Sequence, residues 1–170
     1  MATDTERRRR RSMPDNNGKP ITILMADDDE EDCALTKEAM TDARLANEMR
    51  FVYDGEELMD YLRRQGSYGN GGLEAPRPGV ILLDLNMPKK DGREALAEIK
   101  ADPELRRIPV CVLTTSSAEE DVFRSYDLGV NSFITKPVTF AGLVEVLQTW
   151  SRYWFEIVEL PAMNGDPRDE

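Results

Sequence analysis

The stretch Val80–Gly92, "VILLDLNMPKKDG", joins an apolar run to a polar turn. Its first four residues, Val80 to Leu83, predict a short strand covered on both faces of a sheet. The run stops at Asp84, and the "NMPKKDG" that ends the stretch contains the proline and glycine typical of a loop. A carboxylate at the end of an apolar strand needs an explanation, because burying a charge without a partner is costly.

Apolar runs of this kind alternate with amphipathic helices along the chain. The predicted strands are "ITILMA" (21–26), "MRFVYD" (49–54), "GVILLD" (79–84), "IPVCVLTT" (108–115) and "NSFITK" (131–136). The predicted helices are Glu31–Ala46, Gly55–Arg64, Arg93–Asp102, Ala118–Leu128 and Thr139 to about Val158. Five strand–helix units predict an α/β fold, in which a five-stranded parallel sheet is doubly wound with helices on both faces.

The amino-acid composition excludes several classes of function. The 170 residues are 40% hydrophobic and 32% charged, which suits a single domain, predicted at residues 20–158. A net charge of −11 argues against direct binding to nucleic acid or to an anionic membrane. The chain has no histidine, which excludes a histidine base, and no apolar run long enough to span a bilayer. Cys33 and Cys111 lie far apart, so we expect two core thiols and a cytoplasmic location.

The two ends of the chain differ from the predicted domain. Residues 1–19 are polar and charged, and their composition predicts a disordered basic arm. The run Arg7–Arg11 in this arm favours a solvated tail over a partner-binding segment. Residues 159–170 predict a polar tail, too short for a DNA-binding module.

Chemically active side chains follow several predicted strands. The carboxyl ends of parallel strands lie along one edge of a sheet, so these side chains are expected to converge. They are Asp27, Asp28 and Asp29 after the first strand, Asp84 after the third, Thr114 and Thr115 after the fourth, and Lys136 with Pro137 after the fifth. Clustered carboxylates raise one another's pKa, and Mg2+ would remove this cost.

This set of groups suits transfer of a phosphoryl group to a carboxylate. An ionised Asp84 can attack phosphorus without a separate base. Mg2+ held by Asp27 and Asp28 would neutralise one phosphoryl oxygen. Lys136 would neutralise a second oxygen, and the Thr114 hydroxyl would donate a hydrogen bond to a third. Asp29, Glu30, Glu31 and Asp32 are expected to be first-turn residues favoured by the helix dipole, and of these only Asp29 is also a candidate for the metal shell.

In this order, the motifs resemble the receiver domain of bacterial two-component response regulators. The resemblance covers about residues 20–157 and implies a flavodoxin-like receiver fold in a stand-alone regulator. The matching residues are Asp27, Asp28, Asp84, Thr114, Phe133, Lys136 and Pro137. The chain has a glycine-rich insert before the third strand and "YWFEIVELP" near the end. Both features resemble those of a subgroup of stand-alone receivers that includes small regulators paired with phytochrome-type kinases.

The resemblance implies a role for each matching position. Asp84 would accept a phosphoryl group from a sensor histidine kinase or a phosphotransfer protein. Lys136 would contact the phosphate, and its bond to Pro137 is expected to be cis. The implied Mg2+ ligands are Asp27 or Asp28, Asp84 and the backbone carbonyl of Asn86. The implied switch residues are Thr114 and Phe133, and the residues implied to set the hydrolysis rate are Asn86, Thr115 and Ser116.

Output is expected through protein–protein contacts or through onward phosphoryl transfer. We expect a homodimer, because the last helix carries many large apolar groups, although packing on its own domain is an alternative. The candidate patch residues are Trp150, Tyr153, Trp154 and Phe155.

Other functions fit the sequence less well. An aspartyl phosphatase typically has a second Asp two positions after its nucleophile, where this chain has Asn86, so we expect no turnover enzyme. A nucleotide-binding fold needs a glycine-rich cradle after the first strand, where this chain has "ADDDEED". A receiver-like binding module that works without phosphorylation is the alternative that remains.

Overall fold

The computed structural model describes residues 20–115 and 118–156, apart from the side chains at 119, 120, 123 and 154–156. The strands are β1 (Ile23–Ala26), β2 (Met49–Val52), β3 (Val80–Leu83), β4 (Val110–Thr114) and β5 (Ser132–Thr135). The helices are α1 (Glu30–Asp42), α2 (Gly55–Arg63), α3 (Gly92–Ala101), α4 (Glu119–Leu128) and α5 (Phe140–Glu156). Short 3-10 helices span Gly66–Tyr68 and Leu105–Arg107. The predicted arm and tail lie outside the described residues.

The five strands form one parallel sheet in the order β2-β1-β3-β4-β5. Alternate residues of the central strands enter two apolar clusters, one on each face. The first cluster joins the sheet to α2 and α3, and the second joins it to α1 and α5. The predicted doubly wound α/β fold is therefore confirmed.

Burial explains why the central strands read as continuous apolar runs. Every residue of β1, β3 and β4 is buried, because both faces of these strands are covered. The edge strand β5 is half-buried and ends in an exposed residue. The expected core thiols are also confirmed, since Cys33 is 4% exposed and Cys111 is fully buried.

The first helix ends earlier than its apolar spacing predicts. It stops at Asp42 instead of Ala46, because Arg44 takes a left-handed backbone with φ of 62°. The N–H of Leu45 then donates to the carbonyl of Met40 at 3.0 Å, which closes the turn. Leu45 is still buried, so its side chain reaches the core from the turn after the helix.

Side-chain caps fix where three helices begin. Asp29, Asp54 and Asp91 precede α1, α2 and α3, and each accepts hydrogen bonds from backbone N–H groups of the first turn. Two of these caps lie in loops at the carboxyl edge of the sheet that also carry Asp27 and Asp84. No helix among the described residues has the length and apolarity needed to cross a membrane.

Candidate functional site

Strand register brings the predicted groups to one edge of the sheet. Ala26 pairs with Leu83, and the N–H of Asp84 donates to the Ala26 carbonyl at 2.9 Å. Asp27 and Asp84 therefore follow neighbouring strands at the same level. At the end of β4, the carbonyl of Thr114 accepts the N–H of Lys136 at 2.7 Å.

The Lys136 ammonium contacts three carboxylates. It donates to Oδ2 of Asp27, to Oδ2 of Asp32 at 2.8 Å and to Oδ2 of Asp84 at 3.3 Å. Burial lowers the pKa of this amine, but the hydrogen bonds to Asp27 and Asp32, together with the negative charges of Asp27 and Asp84, raise it overall. Lys136 therefore stays charged and neutralises part of the acidic cluster.

Asp84 is 6% exposed, and both of its carboxylate oxygens are engaged. The hydroxyl of Thr114, fully buried, donates to Oδ1 at 2.7 Å. The N–H of Asn86 donates to the same oxygen at 3.1 Å, while Lys136 faces Oδ2. An ammonium and a hydroxyl, the groups that phosphoryl oxygens need, thus converge on a single carboxylate.

Three carboxylates form a cluster that fits a divalent cation. One oxygen each from Asp27, Asp28 and Asp84 lies within 4.8 Å of the other two. Burial raises the pKa of Asp27 to about 6, although the hydrogen bond from Lys136 lowers it. A bound cation would favour the ionised form of all three groups, and oxygen ligands suit Mg2+ and Mn2+.

The loop that follows Asp84 is held tightly by backbone packing. A methyl group at Gly92 would lie 2.2 Å from the carbonyl oxygen of Asp84, and one at Gly55 would lie 1.9 Å from that of Lys90. Arg93 adds a tether, because its guanidinium donates to both oxygens of Asp121 at 2.7 Å and to the Leu85 carbonyl at 3.3 Å. The start of α3 is thus joined both to the loop after Asp84 and to α4.

For Asn86, Thr115 and Phe133, the described residues show no side-chain hydrogen bond to Asp84. Asn86 and Thr115 are exposed, and Ser116 lies outside the described residues. Phe133 is half-buried against the first apolar cluster, and its N–H donates to the hydroxyl of Tyr126 at 3.2 Å. The roles predicted for these four positions stay predictions.

The predicted cis bond before Pro137 is wrong, because the described residues contain no cis peptide bond. Lys136 reaches the acidic cluster from a trans bond. This is sufficient because β5 ends beside β4 at the level of Thr114, which itself contacts Asp84.

The predicted apolar patch on α5 is wrong for Trp150. This residue is 5% exposed, packs in the second apolar cluster, and donates from Nε1 to the sulfur of Cys111 at 3.4 Å. Its large ring therefore covers the sheet of its own domain. Tyr153 is 44% exposed, and the side chains of Trp154 and Phe155 lie outside the described part of the chain.

Asp32 is the residue of the site that the sequence reasoning missed. It was expected only to favour the helix dipole, yet its side chain binds Lys136. The cap at Asp29, which accepts the N–H of Asp32 at 3.3 Å, holds this first turn in place. The one sequence feature that could have indicated this contact is position, because Asp32 lies in the first helical turn only five residues after Asp27.

Comparison with known proteins gives concordant matches. The family model of the response regulator receiver domain matches residues 23–148. The chain is 45% identical over 150 residues to the response regulator Rcp1 of Synechocystis sp. (strain ATCC 27184 / PCC 6803 / Kazusa), covering 88% of this chain and 99% of Rcp1.

Solved structures show the same similarity. The Mn2+-bound form of Rcp1 aligns with a TM-score of 0.75 at 46% identity, covering 84% of this chain and 100% of that chain. The phosphorylated cyanobacterial phytochrome response regulator RcpA aligns with a TM-score of 0.74 at 46% identity, covering 84% and 99%. RPA3017, a response regulator in red light signalling of R. palustris, aligns with a TM-score of 0.76 at 32% identity, covering 84% and 99%.

Proposed function

Because the chain belongs to the response regulator receiver domain family, we propose that it is a phosphorylation switch in which Asp84 accepts a phosphoryl group from a sensor histidine kinase. The observation that carries this proposal is the convergence of Thr114 and Lys136 on the carboxylate of Asp84. The acidic pair beside it supplies ligands for the cation that the reaction would use.

The chemistry of the acceptor follows from its surroundings. The ionised Asp84 attacks phosphorus, and a bond from its oxygen to phosphorus forms as the bond to the donor nitrogen or oxygen breaks. Lys136 and the hydroxyl of Thr114 then turn from the carboxylate to the phosphoryl oxygens, whose negative charge they stabilise. No side chain needs to remove a proton, because the nucleophile is already a carboxylate.

The cation of the reaction is proposed to be Mg2+. Asp27, Asp28 and Asp84 would hold it, together with the backbone carbonyl of Asn86. When bound, it would neutralise phosphoryl charge and carboxylate charge together. The related protein Rcp1 has been solved with Mn2+, which supports a divalent cation at this position.

The partner is proposed to be a phytochrome-type histidine kinase. Support comes from the similar proteins, which include a cyanobacterial phytochrome response regulator and a regulator in red light signalling. Phosphorylation would change protein–protein contacts, including those of a homodimer, or prepare onward transfer of the phosphoryl group. The expected cytoplasmic location belongs to the same proposal.

Intact-mass spectrometry after incubation with acetyl phosphate and Mg2+ tests the acceptor. Wild type is expected to gain one phosphoryl group, which Asp84→Asn and chelation of Mg2+ both abolish. Asp54→Asn is the matched control, because Asp54 also follows a strand but caps α2 and is not a member of the acidic cluster. This control is expected to gain the phosphoryl group as wild type does.

A histidine kinase serves as the second donor, because the exposed Thr115 beside the site could limit the entry of small donors. No adduct on wild type from either donor would contradict the proposal. That result would favour the binding module that works without phosphorylation.

A further inference from the structure

The first turn of α1 brings one carboxylate to the phosphorylation site and leaves its neighbours in solvent. Asp32 is half-buried and lies 2.8 Å from Nζ of Lys136. Glu30 and Glu31, in the same turn, are exposed. All three stabilise the helix dipole, so the dipole does not explain why Asp32 alone of these three contacts the lysine.

Asp32 supplies one of the three acceptors that surround the Lys136 ammonium. An ammonium carries three N–H donors, and here they meet three different carboxylates, those of Asp27, Asp32 and Asp84. Asp27 and Asp32 both approach Nζ more closely than Asp84 does, which lies at 3.3 Å. Two carboxylates therefore hold the ammonium, and the third donor is left directed at the acceptor.

The backbone of Lys136 is held by its hydrogen bond to Thr114, but the long side chain beyond it depends on such anchoring. Lys136 follows the edge strand β5, which pairs with β4 on one side. Its flexible four-carbon stem does not by itself fix the position of the charge. Burial of the side chain, which is 10% exposed, adds to the cost of any unpaired donor.

We propose that Asp32 is a positioning residue for phosphoryl transfer, holding the Lys136 ammonium so that its remaining donor faces the oxygens on Asp84. This inference rests on the proposed function of Asp84. The carboxylate of Asp32 touches the lysine and takes no part in the bond changes. Removing it frees Lys136 to rotate and weakens the neutralisation of the phosphoryl group.

The test compares Asp32→Asn and Asp32→Ala with Glu31→Gln. Asp32→Asn and Glu31→Gln each remove one negative charge from the same helical turn, so their effects on the helix dipole and on the net charge of the protein match. Single-turnover phosphorylation is followed by intact mass at saturating Mg2+, with the donor that labels wild type. Thermal unfolding by circular dichroism is measured in parallel.

Both Asp32 variants are expected to lower the phosphorylation rate constant about tenfold, the size of effect typical of groups that orient a functional side chain. Glu31→Gln is expected to stay within about twofold of wild type, which is the range of an exposed first-turn charge. Asp32→Glu, which keeps the carboxylate, should recover most of the rate. Asp32→Asn should lower the unfolding temperature more than Glu31→Gln, because it also removes a charged partner of the largely buried Lys136, so all rates are measured at a temperature where each variant stays folded.

Equal rates for Asp32→Asn and Glu31→Gln would overturn the proposal, because Asp32 would then act only through helix stability. A faster rate for Asp32→Asn would also overturn it, since Asp32 would then withhold the lysine from the acceptor. If wild type takes up no phosphoryl group from any donor, the proposed function itself fails. That outcome is distinct from a wild type that reacts and an Asp32 variant that reacts equally well.

Discussion

The centre of the sheet and its β5 edge contribute different kinds of group to the site. Asp27, Asp84 and Thr114 follow or end strands that are buried along their whole length. Lys136 follows β5, and Phe133 lies within that half-buried strand. The proposed acceptor and cation ligands at Asp27 and Asp84 therefore follow fully buried strands, whereas the ammonium of Lys136 depends on side-chain contacts for its position.

The largest expected effect comes from weakening the centre. Leu82→Ala should lower the free energy of unfolding by about 3 kcal/mol, because the side chain is 1% exposed and a cavity would remain in the core. The measurement is urea denaturation followed by circular dichroism.

The matched variant is Ile134→Ala, on the β5 edge. Ile134 packs against the second apolar cluster, to which Leu82 also belongs. The substitution should lower the free energy of unfolding by about 1–2 kcal/mol. An equal loss from both variants would contradict the distinction between centre and edge.

The second largest effect is expected from removing the positive charge of Lys136, which follows the edge strand β5. Lys136→Met should slow phosphorylation by about a hundredfold, because a group that neutralises transition-state charge is lost. Stopped-flow or quenched-flow labelling at saturating Mg2+ gives the rate constant.

Lys100→Met removes a half-buried lysine from α3 and should leave the rate within about twofold. A similar fall for both variants would show that the loss reflects general charge and not the position of Lys136.

The smallest effect is expected from one hydroxyl at the centre. Thr114→Val keeps the shape of the side chain and removes its hydrogen bond to Asp84, so phosphorylation should slow about tenfold, or ~1.4 kcal/mol. Thr114→Ser restores the hydroxyl and should recover most of the rate. Failure of the serine variant to recover it would mean that the methyl group of Thr114, and not its hydroxyl, matters.

The sequence predicted the centre of the molecule best. Buried parallel strands read as short apolar runs, so all five strands were placed to within about two residues of their observed ends. Once the strands were known, the convergence of Asp27, Asp84, Thr114 and Lys136 followed from topology alone. These predictions held because each depends on local pattern or on the parallel order of strands.

The errors concern contacts that no local pattern encodes. Asp32 meets Lys136 from 104 residues away, and Trp150 meets Cys111 from 39 residues away. Apolar spacing showed that α5 has an apolar face but not how much of it the sheet covers. The early end of α1 depends on the left-handed backbone of Arg44, a conformation that a residue other than glycine seldom signals.

During synthesis, Lys136 is added well after the carboxylates that it contacts. It pairs with Asp27 across 109 residues and with Asp84 across 52, and chains grow from the amino end. A chain that has been synthesised only through β4 holds its carboxylates and its acceptor without this positive charge. If Asp84 is the phosphoacceptor, the full rate of phosphorylation therefore requires that β5 has been synthesised and has joined the sheet.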